Sequence, residues 1–127
     1  MSEIAGVELE VLNVERVEIA RVREALPEAF VKSKEFRGDT FICIKRESLL
    51  DVLRLLRDEL SYNYFSECVG VDYSRWEHGR DFEERFEVVY NLFSLKTSSR
   101  IFVKVGVDDG EKIPSAIPVY LGAEYPE

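Results

Sequence analysis

The stretch from Leu49 to Leu60 constrains this chain most. Leu49, Val52, Leu53, Leu56 and Leu60 recur at three- and four-residue spacing, with Arg54, Arg57, Asp58 and Glu59 between them. That is the pattern of a helix with one apolar face. Ser48 stands at the N-cap position, with Asp51 three residues on as a variant of the capping box. Burying each apolar side chain is worth about 1.5–3 kcal/mol, so the face as a whole contributes on the order of 10 kcal/mol before entropy is charged. A helix built this way must dock on something.

The rest of the pattern supplies a sheet. Phe30–Lys34 and Thr40–Lys45 read as two short strands around the turn-forming Arg37-Gly38-Asp39. In Phe41-Ile42-Cys43-Ile44 the apolar residues run consecutively, as in a strand with little exposure. Tyr64–Tyr73 reads as a strand interrupted at Gly70, and Ser74–Glu84 as a polar loop. Phe86–Leu95 and Ile101–Val107 then form an antiparallel hairpin across Lys96-Thr97-Ser98-Ser99. In its second strand Ile101, Val103, Val105 and Val107 share a face. The first strand is apolar on both faces: Phe86, Val88, Tyr90 and Leu92 on one, Val89, Phe93 and Leu95 on the other. Such a strand is sandwiched or covered by another protein. Ahead of all this, Val14–Ala25 reads as a helix with Asn13 as N-cap and Pro27 as its stop, burying Ile19, Val22 and Leu26 with Val17 nearby. The order α-β-β-α-β-β-β predicts a single α+β domain over 1–127, two helices packed on one face of a mainly antiparallel sheet. Residues 1–12 read as a frayed start, and 108–127 as an extended tail.

Composition narrows the function. With 127 residues the chain is long enough for one core without staples. Seventeen basic against 25 acidic residues give a net charge of −8, which argues against nucleic-acid binding and against electrostatic adhesion to anionic lipid. No run approaches the ~18–20 apolar residues of a membrane span, and the N-terminus lacks the basic start and apolar run of a signal peptide. The expectation is a soluble, cytoplasmic chain that meets a membrane only through a partner.

The search for chemistry finds little. Neither GxGxxG nor a phosphate-binding loop is present. The 2 cysteines, Cys43 and Cys68, are far apart and make no Cys-x-x-Cys pair, so they read as small buried hydrophobes rather than metal or redox ligands. The single histidine, His78, could act as a base with Asp72 or Asp81 orienting it and Cys68 as nucleophile; the alternative is an exposed loop histidine. Asp72, Glu77, Asp81, Glu83 and Glu84 could gather round a hard cation but lack the spacing of a calcium loop. Trp76, Tyr62 and Tyr64 read either as an aromatic contact surface or as core. No cofactor is expected, and an interaction role, in an assembly or as a free-standing protein-interaction domain, is favoured over a small enzyme.

Three blocks carry a family resemblance. The first is Ser48-Leu49-Leu50-Asp51-Val52-Leu53-Arg54-Leu55-Leu56-Arg57-Asp58 with Val71-Asp72-Tyr73. The second is Arg85-Phe86-Glu87-Val88-Val89-Tyr90-Asn91-Leu92-Phe93-Ser94-Leu95 with Arg100-Ile101-Phe102-Val103-Lys104-Val105. The third is Ile113-Pro114-Ser115-Ala116-Ile117 with Gly122-Ala123-Glu124-Tyr125-Pro126-Glu127. In this order and spacing the sequence resembles the C-type subunit of NADH:quinone oxidoreductase, respiratory complex I. Related subunits of archaeal reduced-deazaflavin dehydrogenases and membrane-bound nickel–iron hydrogenases are similar too. The resemblance implies a subunit inactive by itself and without a cofactor, peripheral to the inner face of the cell membrane. It would sit between the quinone-site catalytic subunit, of the D type in that complex, and a neighbouring iron–sulfur subunit. It also implies a tail cut short, because the family continues past the block that ends here at Glu127. Extended Pro-bounded segments lie well along a partner. Pro114, Ser115, Ile117, Tyr120, Tyr125, Pro126 and Glu127 are therefore the expected partner-binding residues, with Val119 and Leu121 adding apolar contact; the alternative is that the apolar members fold back on the chain's own sheet.

Overall fold

A computed structural model describes residues 10–12, 16–72, 82 and 84–108. The expected α-β-β-α-β-β-β order is present, preceded by one further short strand. The elements are β1 (Glu10–Leu12), α1 (Val17–Ala25), β2 (Phe30–Phe36), β3 (Asp39–Ile44), α2 (Leu49–Leu60), β4 (Tyr64–Asp72), β5 (Phe86–Ser94) and β6 (Ser99–Val107). Six strands form one sheet in the order β1-β2-β3-β6-β5-β4. All neighbouring pairs are antiparallel except β3 with β6, which run parallel. The parallel pair follows from the route: α2 carries the chain from β3 to the far edge, and the meander β4-β5-β6 returns to the centre. Glu10–Leu12, within the stretch read as frayed, pairs with β2.

Both helices pack on one face. Ile42 and Ile44 of β3, Tyr90 and Leu92 of β5, and Ile101, Val103 and Val105 of β6 are buried there against Ile19 and Val22 of α1 and Leu49, Val52, Leu53 and Leu56 of α2. Leu60 and Leu26 pack at the rim of this core. The β2–β3 turn has two central residues, Arg37 at φ 54° and Gly38 at φ 87°. Both being left-handed matches the tight hairpin turn whose twist suits the flanking strands, and it explains the glycine.

Several local expectations need correction. Ser48 makes no side-chain cap and belongs to a 3-10 turn, Arg46–Ser48, leading into α2. The β4 irregularity lies between Phe65 and Glu67 rather than at Gly70, where the pairing is continuous. Helix α1 starts at Val17 after the extended Arg16, and Asn13 lies outside the described residues. Val17 is 67% exposed and Glu18 only 6%, the reverse of their hydropathy.

A polar junction explains that reversal. Helix α2 ends on Ser61 in the left-handed conformation (φ 67°), and the Tyr62 N–H donates back to the Leu56 carbonyl at 3.0 Å. This left-handed C-terminal cap turns Tyr62 inward. Its hydroxyl donates to Glu18 Oε2 at 2.6 Å, and Arg16 clasps the same carboxylate with Nε at 3.0 Å and Nη2 at 2.9 Å. Arg16 Nη1 also donates to Thr40 Oγ1 at 2.8 Å. The start of α1, the end of α2 and the start of β3 are thus pinned together. Burial alone would raise the Glu18 pKa, but the hydrogen bonds from Tyr62 and Arg16 outweigh it and hold the carboxyl below its ordinary 4.5. Burial first, and the Glu18 carboxylate second, push the Tyr62 phenol above its ordinary 10.

Leu53→Ala is expected to cost about 2–5 kcal/mol in urea unfolding, and Val17→Ala within about 0.5 kcal/mol. Because its folded pKa is depressed, Glu18 contributes stability that is present above its unfolded pKa and lost as pH falls through the folded value. Wild type should therefore lose more stability between about pH 5 and about pH 3 than Glu18→Gln. A difference that stays constant with pH would assign the acid sensitivity elsewhere.

Candidate interaction surface

The sheet face opposite the helices is built by alternation along β3, β5 and β6, and along β4 with one shift between Phe65 and Glu67. Strand register sets its side chains in rows. One row runs Lys34, Phe41, Phe102, Asn91 and Glu67, and the next Lys32, Cys43, Lys104, Val89 and Val69. Shorter rows flank these two: Arg100, Phe93 and Tyr64 on one side, and Gly106, Glu87 and Val71 on the other. Phe41 and Phe102 stack across the parallel pair at 4.8 Å between centroids and 19° between planes. Lys34 and Lys104 lie over the Phe41 ring at 5.8 and 5.3 Å, and Arg100 over Phe93 at 5.2 Å. Arg100 Nη1 also donates to Asn91 Oδ1 at 2.7 Å. The face is thus aromatic at its centre and cationic over the rings.

Beneath it sits a buried ion pair. Lys104 Nζ lies 2.9 Å from Glu87 Oε1, with the two side chains 8% and 1% exposed. The contact is ionic rather than a directed hydrogen bond, and neither Glu87 oxygen has a hydrogen-bond partner among the described residues. Two buried charges at this distance are costly to separate. Phe82 and Glu84 cover the β6 end of the face. A Cβ added at Gly106 would stand 2.8 Å from Phe82 Cβ and 2.6 Å from Glu84 Oε1, so only glycine admits that approach.

This modifies the reading of β5 as apolar on both faces. Val89 and Phe93 do lie half-buried on the second face, but Glu87 and Asn91 are buried beside them. Leu95 is 78% exposed because the strand ends at Ser94 and Leu95 begins the turn. The charged pair was invisible in the sequence, since Glu87 and Lys104 meet only through the β5–β6 register.

Of the catalytic alternative, only Cys68 and Asp72 lie among the described residues. Cys68 and Asp72 lie four residues apart on β4, about 13 Å at the strand rise. Asp72 is held by Arg85 through Nε at 3.1 Å and Nη2 at 3.2 Å. The Arg85 N–H donates to Asp108 Oδ1 at 3.0 Å, tying the β4, β5 and β6 ends together. His78, Trp76, Glu77, Asp81 and Glu83 lie outside the described residues, as do Pro114, Ser115, Ile117, Tyr120, Tyr125, Pro126 and Glu127. Among the described residues no three His, Cys, Asp or Glu side chains group as metal ligands would. Cys43 and Cys68 form no disulfide: they lie on opposite sheet faces, three strand positions apart, or about 14 Å, too far to bridge. Tyr62 is core and Tyr64 is 56% exposed, which divides the aromatic trio between its two readings. No described helix is long and apolar enough to cross a membrane.

Residues 42–127 match the profile of a family described as "Respiratory-chain NADH dehydrogenase, 30 Kd subunit". The chain is 46% identical over 112 residues to the C subunit of NADH-quinone oxidoreductase from Roseiflexus sp. (strain RS-1), covering 86% of this chain and 61% of that protein. It is 38% identical over 108 residues to the corresponding C subunit of Brucella abortus (strain 2308), covering 84% and 50%. It therefore spans between half and three fifths of the length of these relatives. A solved structure, Nqo5 of a trypsin-resistant fragment, superposes with a TM-score of 0.62 at 27% identity over 70% of each chain.

Removing one member of the buried pair strands the other. Lys104→Met should cost about 3–5 kcal/mol of unfolding free energy, and the double variant Glu87→Leu/Lys104→Met should recover most of it. Equal losses in the single and double variants would show that the pair is solvated rather than desolvated.

Proposed function

Because the chain belongs to the family of the 30 kDa subunit of respiratory-chain NADH dehydrogenase, we propose that it is a structural, cofactor-free subunit of such an oxidoreductase. In this reading it docks beside the quinone-site catalytic subunit and a neighbouring iron–sulfur subunit. It supports electron transfer from NADH, or another reduced donor, to quinone without contacting the reacting groups. The assembly, a translocase, would hold it peripheral to the cytoplasmic face of the cell membrane. The observation that carries the proposal is the family match itself, which runs through α2 and β4–β6, the elements that build both sheet faces.

The second face suits such a role. Its stacked Phe41 and Phe102 are only half-buried, and large aromatic side chains with cations over them are the type of surface that a partner desolvates. Pro114, Ser115, Ile117, Tyr120, Tyr125, Pro126 and Glu127 are proposed to extend the contact along the neighbour, with Tyr120 and Tyr125 as its apolar anchors.

Co-expression with the quinone-site subunit tests this. Wild type should co-purify with it one to one, and Tyr120→Ala/Tyr125→Ala should weaken the association at least about tenfold with thermal stability unchanged. Loss of thermal stability with assembly untouched would place the two tyrosines in this chain's own fold. A wild-type chain that ignores the quinone-site protein would overturn the assembly role.

A further inference from the structure

Strand β4 is the outermost described strand on its side of the sheet, and no described strand pairs with its far edge. Its side chains are open on the second face, with Tyr64 56% and Val69 45% exposed. The backbone is exposed at Gly70 as well. Gly70, which has no side chain to contribute, is itself exposed, and a Cβ added there meets nothing within 4 Å. Proteins usually blunt such an edge with a proline, a lysine or a twist. Here residues 64–72 include no Pro, Lys or Arg, and the single irregularity, between Phe65 and Glu67, leaves Glu67–Asp72 in unbroken register with β5. An open edge of this length and regularity is a template for strand addition.

The second-face side chains specify what would add. Along β4 they run Tyr64, Glu67, Val69 and Val71, with Phe93 and Val89 continuing the apolar surface on β5. Glu67 is exposed between the apolar neighbours Tyr64 and Val69. We propose that β4 receives an extended strand from a neighbouring subunit, with an apolar residue beside Val69 and a Lys or Arg facing Glu67. Backbone hydrogen bonds would supply affinity, and the apolar–cationic alternation register and choice of partner. A second copy of this chain fits less well, since its β4 would bring a second Glu67 and no cation, and two chains of net charge −8 repel.

This inference rests on the assembly reading, and one set of experiments separates the two. Amide hydrogen exchange is measured for residues 67–72 in the isolated chain and in the purified parent complex. Incorporation of Glu67→Lys/Val69→Lys into that complex is compared with wild type. Both substituted side chains are exposed, so the thermal midpoint of the variant should match that of wild type. Exchange slowed by about tenfold or more on assembly, with incorporation lowered by about tenfold, is the expected result. If the complex assembles while these amides exchange at the same rate and the variant incorporates normally, strand addition is wrong and the assembly role stands. If wild type joins no complex, both fall. An isolated chain that dimerises with this edge already protected would replace the proposed partner with a second copy.

Discussion

The insertion of β6 between β3 and β5 organises everything else in the domain. It is the last described strand in chain order, yet it occupies the centre of the sheet and makes the one parallel pairing. Ile101, Val103 and Val105 receive the helix layer on one side, while Phe102, Lys104 and Gly106 build the second face on the other. Such a strand must satisfy two environments at once, which is why its sequence is neither a clean alternation nor a plain apolar run. The helix layer is then fixed by the Arg16–Glu18–Tyr62 junction, where Arg16 and Tyr62 share one carboxylate and Arg16 reaches on to Thr40 of β3. A charge tolerated at 6% exposure is stable only with its full set of donors, so the junction also fixes how α1 and α2 sit over β3.

The two sheet faces do different work for different physical reasons. The helix-covered face holds the domain together by burial of aliphatic side chains. The other face is ordered by polar and aromatic contacts: a ring stack, cations over rings and a buried Glu87–Lys104 pair. Such contacts add less to net stability than aliphatic burial, but they fix side-chain positions. A rigid, preorganised face costs less entropy when another surface covers it. Among the described strands, β4 is the outermost beside this face.

Local signals carried much of the fold. The limits of α2, the two-residue Arg37-Gly38 turn, the β5–β6 hairpin and the α+β layering follow from periodicity and turn chemistry over short windows. Where those signals failed, a distant residue decided. Val17 and Glu18 exchange their hydropathic roles because Tyr62, 44 residues beyond Glu18, supplies a hydrogen bond. Ser48 is the exception, failing to cap for a local reason: a 3-10 turn takes the chain into α2. Of the candidate surface, the partly apolar second side of β5 was legible through Val89 and Phe93. Its charged centre was not.

By itself, then, the sequence determined the elements, the face on which each helix is apolar, and a family likeness written in three spaced blocks. These depend on residues close in the chain, where steric preference and periodic burial act without knowledge of the rest. The tertiary structure alone decided how the two hairpins join, that β6 runs parallel to β3, and that Phe41 meets Phe102. It also decided that Lys104 reaches Glu87 and that β4 is left at the edge. Those are consequences of closing long loops around one core, and the free energy that selects them belongs to pairs of residues tens of positions apart.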